Sequence, residues 1–306
     1  MDTTIRAGTP PTPRRWRAGA LVWSTAVIAF LGVTALLYSP AASWVFEVNQ
    51  TQVIERHDES LSSVDPSVEE QLAAARTYNE ALSSGAILAA NTRVPEGSGV
   101  TRDDSLDYWT LLKSDTGVMA RIQIPRIGVD LPVFHGTSDR TLESGIGHLQ
   151  GTSLPIGGES THAVLTGHRG LAEATLFSDL DQLEVGDVFT VNTFGEVVTY
   201  RVVDTRVVEP EDNDALRQEA GRDLMTLVTC TPLGINSHRI LVTGERVSPT
   251  PSDAAEEATQ PARGPGFPWW LVAYVAVIAL LVAYVWRAGR PHSARAPRSQ
   301  RTGREV

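Results

Sequence analysis

Two uncharged apolar runs, one near each end, limit what this chain can fold into more than any other feature. Residues 18–38 are 21 positions without a charge, about 31 Å as a helix. Residues 269–286 are 18 such positions, about 27 Å. Each is long enough to cross the hydrocarbon core of a bilayer. Trp269, Trp270, Tyr274, Tyr284 and Trp286 crowd the second run, as aromatic side chains do at a membrane surface. A chain pinned at both ends in this way has room for one folded body, lying between the spans.

The flanking charges set its orientation. Arg6, Arg14, Arg15 and Arg17 against Asp2 give residues 1–17 a charge of +3. Six arginines against Glu305 give the 287–306 tail +5. Basic flanks stay in the cytoplasm, so both tails are expected there. The whole chain carries −10, which leaves −18 on residues 39–268 and places an acidic domain outside the plasma membrane. Such a surface argues against a nucleic-acid partner, which needs basic patches. The 18–38 run is longer than the core of a cleavable signal, and Pro40 sits awkwardly for a small-residue cleavage site. A retained anchor is therefore expected. No glycine-rich phosphate loop and no metal-ligand spacing occurs, so neither a cofactor nor a metal is expected.

Between the spans the pattern changes twice. Residues 39–110 read as a helical and loop segment. Asp65 is placed to cap a helix with Pro66 in its first turn, and Val68, Leu72, Ala75 and Leu82 continue a helical stripe that stops at Gly85. Residues 87–107 have no sustained period and read as a spacer or a flap. From Met119 the period becomes two: residues 120–125, 127–133, 161–167, 188–191 and 197–208 read as strands. Gly128 marks a turn, and Phe194-Gly195 a hairpin. One helical turn is expected over 176–180 and a short helix near 214–218. Several short strands with turn signals predict a mainly β fold, one closed or nearly closed barrel over residues 111–247. Residues 248–268, rich in Pro, Ala and Glu, read as a stalk.

The stretch 223–244 carries the chemistry. Leu224, Thr226, Val228 and Cys230 fall on one face of a strand, Met225, Leu227 and Thr229 on the other. Thr231-Pro232-Leu233-Gly234 is turn chemistry, and Arg239 opens the returning strand. Cys230 is the one cysteine of the protein. The bland reading is a small buried hydrophobe. Its place at a strand end, its threonine neighbours and the nearby guanidinium favour a nucleophile instead, since a fixed positive charge promotes thiolate and can hold an oxyanion. An unpaired thiol outside the cell is also a liability unless it is buried or useful.

A thiol nucleophile needs a base, usually histidine. His57 lies near the anchor and His292 in the cytoplasmic tail. His238, next to Arg239 on an extended strand, points the opposite way. His162 is mid-strand. His135 and His148 lie in glycine-flanked loops and stay open. His168, in Gly167-His168-Arg169-Gly170 after an apolar strand, is the best placed.

These residues resemble a known family. Thr226-Leu227-Val228-Thr229-Cys230, with Arg239 downstream, is similar to the active-site signature of sortases, the membrane-anchored cysteine transpeptidases of Gram-positive bacteria. Leu165-Thr166-Gly167-His168 is similar to their histidine motif. Within the family, the Cys230-Thr231-Pro232 run, Gly151–Pro155 and the second span resemble class C, the pilin-polymerising members. The resemblance implies a closed eight-stranded β-barrel with short helices. It implies a substrate signal of Leu-Pro-x-Thr-Gly type, cut between Thr and Gly by Cys230 through a thioacyl intermediate. His168 would be the acid and base, Arg239 would hold substrate and oxyanion, and Thr229 and Thr231 would line the pocket. The implied partners are secreted surface proteins or pilins bearing the signal, with a pilin lysine as acceptor. A cell-wall precursor as acceptor, or a non-catalytic tethered barrel, are the alternatives. Many class C members carry an Asp-Pro-aromatic lid, and that triplet is missing between residues 86 and 109. Asp107, Tyr108 and Trp109 are the candidates for a lid, or for packing the segment on the barrel.

Overall fold

Eight short strands close on themselves in the computed structural model of the chain, which describes residues 16–83, 86–87, 96–97, 100–101, 107–212 and 214–290. The strands are β1 (Val118–Ile124), β2 (Val129–His135), β3 (Ile146–His148), β4 (Thr161–Thr166), β5 (Val188–Thr193), β6 (Glu196–Val208), β7 (Asp223–Thr231) and β8 (His238–Arg246). Around the barrel they run β6-β8-β7-β4-β3-β2-β1-β5 and back to β6. Only β7–β4 and β2–β3 pair in parallel. Gly128, at φ 65°, turns β1 into β2 after one 3-10 turn. Phe194 and Gly195, both with positive φ, make the two-residue hairpin between β5 and β6 whose twist suits antiparallel strands. The expected helical turns shift slightly, to 3-10 turns at Leu180–Gln182 and Asp214–Leu216.

Alternation along β7 separates two apolar clusters. Met225 and Leu227 point inward with Ile122, Leu165, Phe189 and Val242 into the barrel core. Val228 points outward and packs with Val164, Leu241, Leu149 and Leu216. Both faces of β7 are therefore covered, which is why the strand reads as a nearly continuous apolar run.

Two helices dock on the barrel. The first, α1 (Ala20–Ser60), continues for 22 residues past the expected end of the span at position 38, straight through Pro40. Gln50, Ile54 and His57 along its later turns are buried, and Gln50 Nε2 donates to Ser144 O at 2.9 Å. The second, α2 (Val68–Ala81), is capped by Ser67, whose hydroxyl accepts from Glu70 N–H while the Glu70 carboxylate accepts from Ser67 N–H. This reciprocal box replaces the expected Asp65 cap. Leu82 falls outside the helix and pairs with Thr101 in a two-residue ladder. Buried amides dock α2: Gln71 exchanges two hydrogen bonds with the Lys113 backbone and Asn79 two with Leu154. Most of the 87–107 spacer lies outside the described residues, as do the basic tails, 1–15 and 291–306.

The stretch read as a stalk is no free spacer over its first half. It forms α4 (Ser252–Ala258), after the six-residue α3 (Asp139–Ser144) of the β2–β3 connection. Asn192 donates to Ala258 O, Thr250 to Val197 O and Arg121 to Gln260 O. Proline-rich composition hid these backbone-directed ties, which need no apolar stripe.

Among the described residues, 16–41 and 268–290 form a separate unit from Ala42–Phe267. It consists of the first part of α1 and of α5 (Trp269–Ala288). Both helices are long and apolar enough to cross a membrane, which associates the chain with one. Thr34 Oγ1 meets Tyr274 Oη at 3.1 Å, and the Trp16 indole N–H donates to Trp286 O.

Candidate active site

The register of β7 against β8 sets the geometry. Cys230 is directly opposite Arg239, and Thr231 opposite His238. Directly paired residues share a face, so the sulfur and the guanidinium stem lie on the outer face, beyond Val228 and Leu241. The parallel partner β4 ends at Thr166, opposite Val228. His168, two residues further on, is thereby delivered beside Cys230.

His168, Arg169, Gly170, Leu171, Cys230, Gly234 and Asn236 line a cavity of about 100 Å³. Cys230 is 5% exposed and His168 7%, and both border the cavity. The space is enough for reacting atoms but not for a peptide, which must run over the neighbouring surface. Larger cavities lie beside Arg76 and Arg246, about 310 Å³, and beside Phe46 and Gln50, about 250 Å³. Neither is lined by a cysteine or a histidine.

Arg239 is fully buried and stands behind the lining rather than in it. Its Nη1 donates to Asn236 O at 2.8 Å and His238 O at 3.0 Å. A charge fixed by carbonyls under the cavity floor keeps its position through a reaction, which a hydrated surface arginine does not. Gly170, at φ 75°, closes the opposite wall. A Cβ there would meet the Leu233 side chain, and the positive φ is itself one that glycine adopts most readily.

The two threonines expected to line the pocket are not among the residues bordering this small cavity. Thr229 is fully buried and donates to Gly167 O at 2.8 Å. Thr231 Oγ1 accepts from Arg169 at 3.0 Å. Both hydroxyls hold the histidine loop instead, because odd positions of β7 face away from Cys230.

The lid candidates are also elsewhere. Asp107 caps a 3-10 turn, Tyr108–Thr110. Tyr108 is buried, its hydroxyl within 3.0 Å of His148 Nδ1, 3.1 Å of His148 O and 2.9 Å of Gly136 N. Trp109 is half-exposed, and its ring lies against Gly136, where a Cβ would approach to 2.8 Å. None of the three lines the cavity at Cys230. They pack the segment on the barrel.

Four of the other described histidines have structural surroundings, and His292 lies outside the described residues. His148 also contacts Ser153 O at 2.8 Å through Nε2, and burial lowers its pKa to about 4. His135 contacts Leu111 O, His162 contacts Thr226 and Arg217 O, and burial lowers both pKa values. His57 lies against Ser114 and Phe194, with burial lowering it to about 4. His238 is exposed.

Comparison with known proteins gives one consistent answer. The sortase domain model matches residues 122–247. The curated Sortase D of Bacillus subtilis (strain 168) is 33% identical over 141 residues, 44% of this chain and 68% of the relative. Sortase A of Bacillus anthracis is 30% identical over 51% of this chain and 72% of its own length. Among solved structures, sortase C-1 from Actinomyces oris is 51% identical with a TM-score of 0.53, over 59% of this chain and 99% of that one. Streptococcus pneumoniae Sortase C is 37% identical with a TM-score of 0.56, over 65% and 98%. The closed eight-stranded barrel, the strand-end cysteine and these relatives agree: the chain belongs to the sortase family of cysteine transpeptidases.

Proposed function

We propose that the chain is a pilus-assembling transpeptidase, held at the plasma membrane by α1 and α5 with its barrel outside and both termini in the cytoplasm. One observation carries the reading: β4 and β7 bring His168 and Cys230 to one small cavity, with Arg239 in register beneath the sulfur. The likeness to solved structures titled as sortase C, one of them as pilus-related, favours pilin as the substrate class.

The thiolate of Cys230 attacks the threonine carbonyl of a Leu-Pro-x-Thr-Gly-like signal. The developing oxyanion is stabilised by the Arg239 charge fixed behind the cavity wall. As the C–N bond breaks, His168 as imidazolium gives its proton to the departing glycine amine. A thioester between Cys230 and the threonine remains. The lysine amine of a second pilin then gives a proton to neutral His168 and attacks, and Cys230 leaves as thiolate with an isopeptide bond formed.

The test uses the full chain in detergent micelles with a signal peptide and two amines, a pilin lysine peptide and a cell-wall precursor. Mass spectrometry should find a thioester on Cys230 and product joined to the lysine. Product joined to the precursor alone would move the chain to wall anchoring. No adduct on Cys230 would overturn the enzyme reading.

A further inference from the structure

A histidine two residues beyond a strand, between two glycines, is not held in place by the barrel ladder alone. Before His168 the loop is tied by Gly167 N–H to Val228 O at 3.1 Å and by the Thr229 hydroxyl to Gly167 O. At His168 itself, the carbonyl accepts from Phe177 N–H. Beyond it, one side chain does the work. Arg169 Nε donates to Ser178 O at 3.1 Å, Nη1 to Thr231 Oγ1 at 3.0 Å and Nη2 to Asp181 Oδ2 at 2.6 Å. Its side chain is 13% exposed, that of Asp181 48%. Gly170 N–H adds a bond to the Ser178 hydroxyl.

The planar guanidinium therefore joins three segments: the residue after His168, the residue after Cys230, and the Leu180–Gln182 turn. A lysine, whose three donors all sit on one nitrogen, cannot span the separate positions that Nε, Nη1 and Nη2 occupy in the fork. Asp181 neutralises the charge and orients the fork through a charge-assisted bond. We infer that Arg169 is a positioning residue that sets the separation of the His168 imidazole and the Cys230 sulfur by clamping the two loops at the positions following each.

The inference rests on the transpeptidase reading and is tested so that the two can fail separately. Full-length Arg169→Ala, Arg169→Lys, Thr231→Val and the double variant are compared in micelles. A reacting pair moved by about 1 Å loses roughly 100-fold in rate. We expect kcat to fall roughly 10- to 100-fold in Arg169→Ala with KM changed less than about threefold, because the bonds lost are those that hold the segments carrying His168 and Cys230 together. Arg169→Lys should recover only part of the loss. Thr231→Val should add little to Arg169→Ala, since one bond joins the two. In parallel, the imidazole Cε1–Hε1 resonance of His168 should shift or broaden in Arg169→Ala, a readout that needs no turnover. A kcat within twofold of the parent, additive losses, or an unmoved His168 resonance in a folded variant would each overturn the clamp. An inactive parent would instead remove the transpeptidase reading, and the resonance would still decide the clamp.

Discussion

The barrel carries two histidine-bearing corners that look alike in sequence and differ in use. At one, His148 and His135 surround Tyr108, and three hydrogen-bonding groups converge on a single phenol. Burial pushes the tyrosine far above its ordinary pKa and pulls both histidines down. At the other, His168 and Cys230 stand at the wall of a cavity. Both corners have glycine-flanked histidines. The difference is in what reaches them: the first receives an aromatic side chain from the preceding segment, the second borders a cavity. A corner filled by a tyrosine is a joint, and a corner left hollow can bind.

The largest effect that sharpens this contrast is at the hollow corner. Cys230→Ala should abolish both turnover and the thioester, read by peptide cleavage and mass spectrometry. His168→Ala should lower kcat/KM by roughly 10²- to 10⁴-fold. Arg239→Ala should lower it by roughly 10²- to 10³-fold. His148→Ala, by contrast, should act on stability, and an equal loss of turnover in a folded His148 variant would erase the distinction between the corners.

The filled corner answers to a different measurement. Tyr108→Phe removes the hydroxyl and leaves Gly136 N–H and His148 without it, at a cost of about 1–3 kcal/mol, visible as a lower thermal midpoint. Turnover should stay within about threefold, the range left to indirect effects of a distant joint. A lid would behave oppositely: loosening it would speed turnover or thiol labelling of Cys230.

Acid also separates them. His57 and His148 are buried neutral with pKa values near 4, against about 6.5 in the unfolded chain. Above about pH 6.5 neither state binds the proton and stability is flat. As pH falls from about 6.5 to about 4 the unfolded chain binds protons first, so stability drops, by up to about 3 kcal/mol for each group. Denaturant melts across that window should show the drop, and His57→Gln should reduce it. A flat profile would mean these two sites are hydrated.

How much of this was legible follows from what the signals are made of. The strands could be read because apolar alternation survives in β1, β2 and β6. That Arg239 returns beside Cys230 could be read from strand ends and alternation, whereas pattern alone left His135 and His148 open beside His168. The later turns of α1 do not stand out because the docked stripe, partly buried Phe46 with buried Gln50, Ile54 and His57, includes an amide and an imidazole, which periodicity in apolar residues does not count. Ser67 and Glu70 form a capping box visible in the sequence, but Pro66 drew the helix start toward Asp65. Thr229 and Thr231 were assigned to the pocket on the family likeness, although strand alternation alone turns both away from Cys230. No local pattern reveals that Tyr108 fills the His148 corner, since that contact joins residues 40 apart.

The smallest expected effect is at His238, and it tests the register most directly. It neighbours Arg239 in sequence, is cross-strand partner to Thr231, and is closer along the chain to Cys230 than His168 is. By proximity in sequence it competes with His168 for the role of base. Alternation places it on the face away from the sulfur. It is exposed, and its Nδ1 meets Ser237 Oγ at 2.9 Å. His238→Ala should therefore leave kcat/KM within about twofold and the melting midpoint nearly unchanged, as surface substitutions do. A tenfold loss would mean that β8 is shifted by one residue against β7, which would turn Arg239 away from Cys230 and exchange the faces on which the site is built.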